Sequence, residues 1–237
     1  MLSTTISDVP TSCGSSYKGV TMNAFDPKNT TVIICCAGMG TRLGIGTTKA
    51  LVDICGKPLI IRLLESLHEY DDIRIVVGFQ AERLIHVVTE FRKDIMFAFN
   101  YDYETTGVAD SLRKALVGVR EYVISLDGDT LENPEDFTAF LACKNECLGI
   151  SPITSAEPVM ATVEDGSVVN LSKKSGNYQW SGIVKIKADK LKGKSSHVYD
   201  VLNEVLPIPA LNMRTREIDT PDDYDRAIEW FESGMMG

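Results

Sequence analysis

Residues 32–58 read VIICCAGMGTRLGIGTTKALVDICGKP, and the fold follows from how this stretch divides. It opens with Val32, Ile33, Ile34, Cys35 and Cys36, an unbroken apolar and β-branched run that suits a parallel strand buried on both faces. A loop follows with Gly38, Gly40, Gly44 and Gly46, carrying Arg42 inside it and Lys49 at its end. Glycines permit positive φ and let a ligand approach backbone N–H groups closely. Such N–H groups beside a guanidinium and an ammonium form a trap for a polyphosphate. Two familiar phosphate loops are excluded. The dinucleotide fingerprint needs Gly or Ala where Leu43 stands. A Walker A loop needs Ser or Thr where Pro58 follows Gly56-Lys57, and an earlier Gly where Leu51 stands.

Outward from this stretch, helical and strand periods alternate. Leu59, Ile60, Leu63, Leu64 and Leu67 predict a helix over residues 58–69, with Pro58 in its first turn. Strands are predicted over 73–77, 95–99 and 122–126. Between them lie helices carrying Leu84, Ile85, Val88 and Phe91, and, opened by Gly107, Leu112, Ala115 and Leu116. This βα rhythm implies an α/β fold: a Rossmann-like, mainly parallel sheet flanked by helices, with ligands at the strand C-termini. From residue 148 the rhythm changes to short β-like runs over 150–153, 159–163, 168–171 and 178–186, with a hairpin signal at Asp165-Gly166. These predict a small β-rich lobe. Two helices follow over 198–205 and 222–231, the second with Thr220-Pro221 as N-cap and first residue. The expected organisation is a polar tail at 1–29 and a single domain at 30–237, divided into a core of about 30–147 and a lobe with C-terminal helices from about 148.

The chain has 237 residues, 44% of them hydrophobic, which suffices for a real core. Its formal charge of −9, from 24 basic and 33 acidic residues, argues against a nucleic-acid binder. No apolar run approaches a membrane span and no signal-peptide pattern opens the chain, so no membrane partner and a cytoplasmic location are expected. The cysteines Cys13, Cys35, Cys36, Cys55, Cys143 and Cys147 form no Cys-x-x-Cys pair and read as reduced structural thiols rather than a zinc site.

The segment Ala37-Gly38-Met39-Gly40-Thr41-Arg42, then Lys49, then Gly56-Lys57-Pro58, resembles the signature of the nucleotidyltransferases that make CDP-, UDP- or dTDP-activated compounds. Thr48 replaces the Pro that usually precedes the Lys, a departure shared with the small CTP:phosphocholine and phosphonate-type cytidylyltransferases, which the chain resembles most. The resemblance covers residues 32–231. It implies a GT-A-like nucleotidyltransferase fold, with NTP (CTP favoured) and a small phosphate or phosphonate monoester as partners, in a monomer or homodimer. It further implies that Arg42 and Lys49 are catalytic, and that Ala37, Gly38, Met39, Gly40 and Thr41 bind nucleotide.

Transfer of a nucleotidyl group aligns two anions and screens their repulsion, a task for loop cations and for Mg²⁺ held by carboxylates. By resemblance, Asp129, in the strand-end motif Asp127-Gly128-Asp129, and Asp219, in Glu217-Ile218-Asp219-Thr220-Pro221-Asp222-Asp223-Tyr224, are the metal ligands. Asp127 shares the face of Asp129 in a regular strand and is grouped with the acceptor side, or is structural. Asn100, Thr106, Gly107, Ala109 and Ser111 match the segment that contacts base and ribose in the family, although Ser111 also suits a helix cap. The Asn-x-x-Tyr approach from Asn100 to Tyr103 resembles the phosphocholine-type cytidylyltransferases, and no Gln of the kind that reads uracil or thymine lies nearby. Gly107-Val108-Ala109, by contrast, is close to the Gly-Thr-Ala of the sugar-nucleotide enzymes, so the base stays open. Trp180 matches the acceptor strand, where its ring suits a quaternary ammonium or a core position alike. Lys185 and Lys187 alternate on one face and meet either an acceptor phosphate or water, while Lys173-Lys174 reads as a solvated turn. Two alternatives stand beside the cytidylyltransferase expectation: a sugar-1-phosphate uridylyl-, thymidylyl- or guanylyltransferase, and a catalytically inactive nucleotide-binding regulatory protein of the same fold.

Overall fold

The computed structural model describes residues 25–44 and 46–236. The tail expected at 1–29 therefore falls outside the described residues up to 24. Of its remainder, Phe25 packs its ring on Tyr122 at 4.5 Å between centroids. The chain runs β1 (Thr30–Cys36), β2 (Asp53–Ile54), β3 (Lys57–Pro58), α1 (Leu59–Ser66), β4 (Ile73–Val77), α2 (Ala81–Phe91), β5 (Ile95–Phe99) and α3 (Val108–Ala115). Then come β6 (Tyr122–Asp127), β7 (Thr130–Glu132), α4 (Pro134–Ala142), β8 (Cys147–Ser151), β9 (Met160–Glu164), β10 (Ser167–Ser172) and β11 (Tyr178–Lys187). The last elements are α5 (Val198–Asn203), β12 (Ile208–Asn212), β13 (Thr215–Glu217) and α6 (Pro221–Glu232).

Among the described residues the main sheet has nine strands in the order β5-β4-β1-β6-β11-β8-β12-β10-β9. The first four pair in parallel, as the βα rhythm requires. From β6 to β11 the sheet turns antiparallel, and the β-rich second half of the chain continues the same sheet. Residue parity on β1 shows why its sequence is apolar without interruption. Val32, Ile34 and Cys36 enter the core shared with Leu63, Leu84 and Phe140, while Ile33 enters the core shared with Leu112, Val201 and Leu202. The α1, α2 and α4 side thus covers one face, and the α3 and α5 side covers the other.

A third cluster joins Leu43 and Val52 to Leu131, Ile218, Ala227 and Trp230, so that α6 packs beneath the glycine-rich loop. The first two residues of that helix behave as expected. Thr220 caps it, accepting from Asp223 N, and Pro221 occupies its first position. Pro58, by contrast, stands just outside α1 as its N-cap. Cys35, Cys36, Cys55 and Cys147 are free thiols, whereas Cys143, at the buried end of α4, is disulfide-bonded, which corrects the all-reduced expectation there.

Candidate active site

Strand order reverses at β1, which has β4 on one side and β6 on the other, so a crevice opens at the C-terminal ends of β1 and β6. Their register sets Cys35 opposite Asp127, and Gly128 N donates to Cys35 O at 3.1 Å. The glycine-rich loop leaving β1 and the acidic turn leaving β6 therefore start side by side. Gly128 is required there, because a side chain would collide with Cys36 Sγ. The cleft so formed has a volume of about 350 Å³. Gly38, Gly40, Thr41, Arg42, Thr48 and Lys49 line one wall, and Asp127, Asp129, Glu217 and Asp219 the other.

Nothing in local spacing joins Asp129 to Asp219; a two-stranded ribbon does. β7 leaves the turn after Asp129 and pairs antiparallel with β13, with Thr130 opposite Glu217. Ile218 N then donates to Asp129 O at 2.9 Å. Along this extended segment Ile218 is fully buried in the third cluster, so Glu217 and Asp219 on either side of it turn toward the cleft. Ligand oxygens of Asp129, Glu217 and Asp219 all lie within 4.8 Å of one another. Glu217 was not anticipated as a member of this group. Its signal was the two-residue spacing to Asp219 in an extended segment.

Lys49 lies among these acids, its ammonium 2.8 Å from Asp129 Oδ2 and in contact with Asp219 Oδ1. Arg42 Nη2 reaches Asp219 Oδ2 at 3.0 Å, and Arg42 Nη1 reaches Glu157 Oε2 at 3.1 Å. Burial pulls the Lys49 ammonium toward neutrality, but Asp129 and Asp219 outweigh it and hold its pKa above the usual lysine range. Burial, then the charges of Asp129 and Glu217, raise the Asp127 carboxyl well above the carboxylate range. Burial, then Asp129 and Asp219, push Glu217 up to about 7. Such crowding of oxygen ligands with too little positive charge fits a hard divalent cation such as Mg²⁺.

The Glu217 shift has a testable consequence. An acid whose folded pKa is raised favours the fold while protonated, so its penalty is absent below the unfolded value of ~4.5 and complete above about 7. Without added metal, Glu217→Gln should match the parent's stability near pH 4.5 and exceed it at pH 8 by something on the order of 2 kcal/mol. Thermal melts across that range check it. A gap that does not grow with pH contradicts the burial account.

The expected base-side residues are largely interior. Asn100 is 1% exposed, and its amide donates to Thr106 Oγ1 and Ser111 Oγ, both at 2.9 Å. Ala109 and Ser111 are likewise buried, and Thr106 Oγ1 donates back to Asp102 O. Gly107 has no room for a side chain against the backbone of Ser196. These residues brace the loop over 100–107 from inside, and none of them lines the cleft. Val108, 47% exposed, is the residue of this segment that does. Ala37 is also interior, its carbonyl accepting from Phe79 N, and neither it nor Met39 lines the cleft.

On the far side of Asp127 a smaller recess, about 70 Å³, is lined by Glu157, Val159, Lys173, Trp180, Ser181, Gly182 and Glu217 among others. Trp180 is half-buried there, its indole N–H donating to Ile183 O at 3.1 Å. Lys173, expected in a solvated turn, also lines the recess and donates to Glu157 O at 2.8 Å. Lys185 is on the wrong side for an acceptor. It is fully buried beneath α4, and its ammonium donates to the carbonyls of Phe140, Leu141 and Cys143 at 2.8–2.9 Å. Burial lowers its pKa to about 8. Its three donors cap the end of α4, where helix carbonyls lack partners. Lys185→Met should therefore cost about 1–3 kcal/mol of stability while leaving the acceptor KM unchanged. A raised KM in a variant of unaltered Tm would restore Lys185 to the acceptor site.

A glycine-rich loop and a carboxylate group facing each other across this switch point belong to a protein of nucleotidyltransferase fold. The chain belongs to the family described as the MobA-like NTP transferase domain, whose model matches residues 32–167, more than half of its length. Among solved structures it is similar to the inositol-1-phosphate CTP transferase from T. maritima, with a TM-score of 0.73 at 20% identity, covering 88% of this chain and 97% of that one. It is also similar to the CTP:phosphocholine cytidylyltransferase LicC of Streptococcus pneumoniae, with a TM-score of 0.67 at 21% identity, covering 86% and 99%. Among curated relatives, bifunctional protein GlmU of Helicobacter pylori is 28% identical over 125 residues, or 50% of this chain and 29% of that protein. The 3-deoxy-manno-octulosonate cytidylyltransferase of Aliivibrio salmonicida is 29% identical over 136 residues, or 57% and 53%. The chain thus spans about half or less of the length of either curated relative. No helix among the described residues is long and apolar enough to cross a membrane.

Proposed function

We propose that the protein transfers a nucleoside monophosphate, with CTP as the favoured donor, to a small phosphate or phosphonate monoester. The observation that carries this reading is the meeting of Arg42 and Lys49 with Asp129, Glu217 and Asp219 in one cleft, beside the Trp180 recess. An oxygen of the acceptor phosphate attacks the α-phosphorus, a new P–O bond forms, and the bond to the β-phosphate oxygen breaks to release pyrophosphate. The N–H groups and glycines of the 38–42 loop receive the triphosphate, and Arg42 neutralises its outer charge. Lys49 offers its ammonium to the oxygens on which charge develops. Asp129 and Asp219, with Glu217 beside them, would hold Mg²⁺. When bound, that ion supplies charge compensation at the phosphates.

The recess suggests the character of the acceptor. Its lining combines the Trp180 indole with the exposed carboxylate of Glu157, beside Lys173, and the indole face and that carboxylate suit a head group that carries positive charge. The deciding experiment measures pyrophosphate release for the four NTPs against choline phosphate, aminoethylphosphonate, polyol phosphates and sugar 1-phosphates. Turnover with CTP and an amine-bearing acceptor is expected. Turnover with UTP and hexose 1-phosphates but not CTP overturns the donor and acceptor assignment. NTP binding with no turnover for any pair favours the inactive regulatory reading.

A further inference from the structure

The oxygens best placed to ligate a divalent cation are already engaged by the chain's own cations. Asp219 has Lys49 on Oδ1 and Arg42 on Oδ2, and Asp129 has Lys49 on Oδ2. The Asp219 side chain is only 8% exposed and that of Lys49 16%, so water screens these pairs poorly. We propose that Lys49, assisted by Arg42, is an internal counter-ion that keeps divalent cations off Asp129 and Asp219 until a triphosphate arrives. This rests on the reading above that these carboxylates hold the metal.

The physical argument is one of exchange. A divalent ion entering the site without nucleotide must expel an ammonium from between two carboxylates. The other acids of the cleft, Asp127 and Glu217, lie beside or within the same carboxylate group, so the expelled ammonium needs a further anion. A triphosphate supplies that anion. Lys49 and Arg42 both belong to the segment that lines the phosphate side of the cleft, and Arg42 is more than half exposed. The stem of Lys49 lies against Gly40, where even a methyl group would press on it at 2.9 Å, so glycine leaves the arm room to swing. Once the two arms turn to phosphate, the oxygens of Asp129 and Asp219 become available. Nucleotide and cation therefore tighten one another, each by the same factor.

The test uses Mn²⁺ as probe, read by its EPR signal, on the full chain without nucleotide or acceptor. The parent should bind Mn²⁺ weakly, and Lys49→Met should bind it at least about tenfold tighter, within the usual range of site-to-site coupling. Lys49→Arg, which keeps the charge, should stay close to the parent. Adding Asp129→Asn to Lys49→Met should remove the gain. Should Lys49→Met fail to fold, Arg42→Met, altered at an exposed side chain, should show a smaller gain of the same sign. Tight Mn²⁺ binding by the parent, no gain in the folded neutral variants, or an equal gain in Lys49→Arg overturns the proposal. These readouts involve no turnover, so failure of the NTP screen leaves them standing, and their failure leaves the screen standing.

Discussion

Lys49→Ala should lower kcat by about 10²-fold or more, the usual loss when one preorganised electrostatic donor is removed from a phosphoryl or acyl transfer site. Nucleotide affinity should fall much less, because Arg42 and the loop N–H groups remain. The ammonium is held charged and aimed into the cleft by Asp129 and Asp219, and it cannot be replaced by water with the same charge. The variant also leaves three carboxylates crowded without their cation, so its metal-free form should melt earlier than the parent. Added Mg²⁺ should restore the melting temperature without restoring kcat. That split separates a catalytic lysine from one that only holds the fold. Turnover close to the parent's in a folded Lys49→Ala protein would sink the assignment.

Asp129→Asn and Asp219→Asn should each remove most Mg²⁺-dependent turnover, on the order of 10²-fold or more. Their effects on stability should differ. Removing a crowded acid from an active site often stabilises a protein, but here both acids are paired. Asp219 is buried with Lys49 on one oxygen and Arg42 on the other, so its loss leaves the buried ammonium with Asp129 alone and releases Arg42, and should cost about 2 kcal/mol. Asp129, three times as exposed (24% against 8%) and meeting Lys49 alone, should cost less. Calorimetry without metal gives the ranking. An Asp219→Asn protein more stable than the parent contradicts the pairing described above.

Much of the fold could be read because it rests on long periodic segments. The strands at 73–77 and 95–99 coincide with β4 and β5, since each has apolar residues on both faces and a helix on either side. The loop and its two cations were legible for a different reason: glycine and charge spacing is a local property, and residues 38–49 act through local geometry. The ribbon of β7 and β13 was not legible. Each strand has three residues, too few to display alternation, so the approach of Asp219 to Asp129 depended on the family resemblance. Asn133-Pro134 followed by Phe137, Phe140 and Leu141 was a readable helix start, and Asn133 does cap it. The alternation of β11 gives Lys185 a face but not what covers it, which is the end of α4. For Asn100, sequence position cannot say whether an amide turns toward a ligand or toward its own loop, where its donors lie here.

The third apolar cluster ties Leu43, in the first functional loop, to Ile218, Ala227 and Trp230 at the other end of the chain. During synthesis on a ribosome, the parallel strands from β1 to β6 can pair early, since they lie close together in sequence. The glycine-rich loop has no floor at that stage, and Asp129 has neither Glu217 nor Asp219 beside it. Both are translated only after every strand of the main sheet. A nascent chain stalled before residue 215 would therefore carry all nine strands of the main sheet and an incomplete carboxylate group. The carboxylate group would then be completed in a single late step.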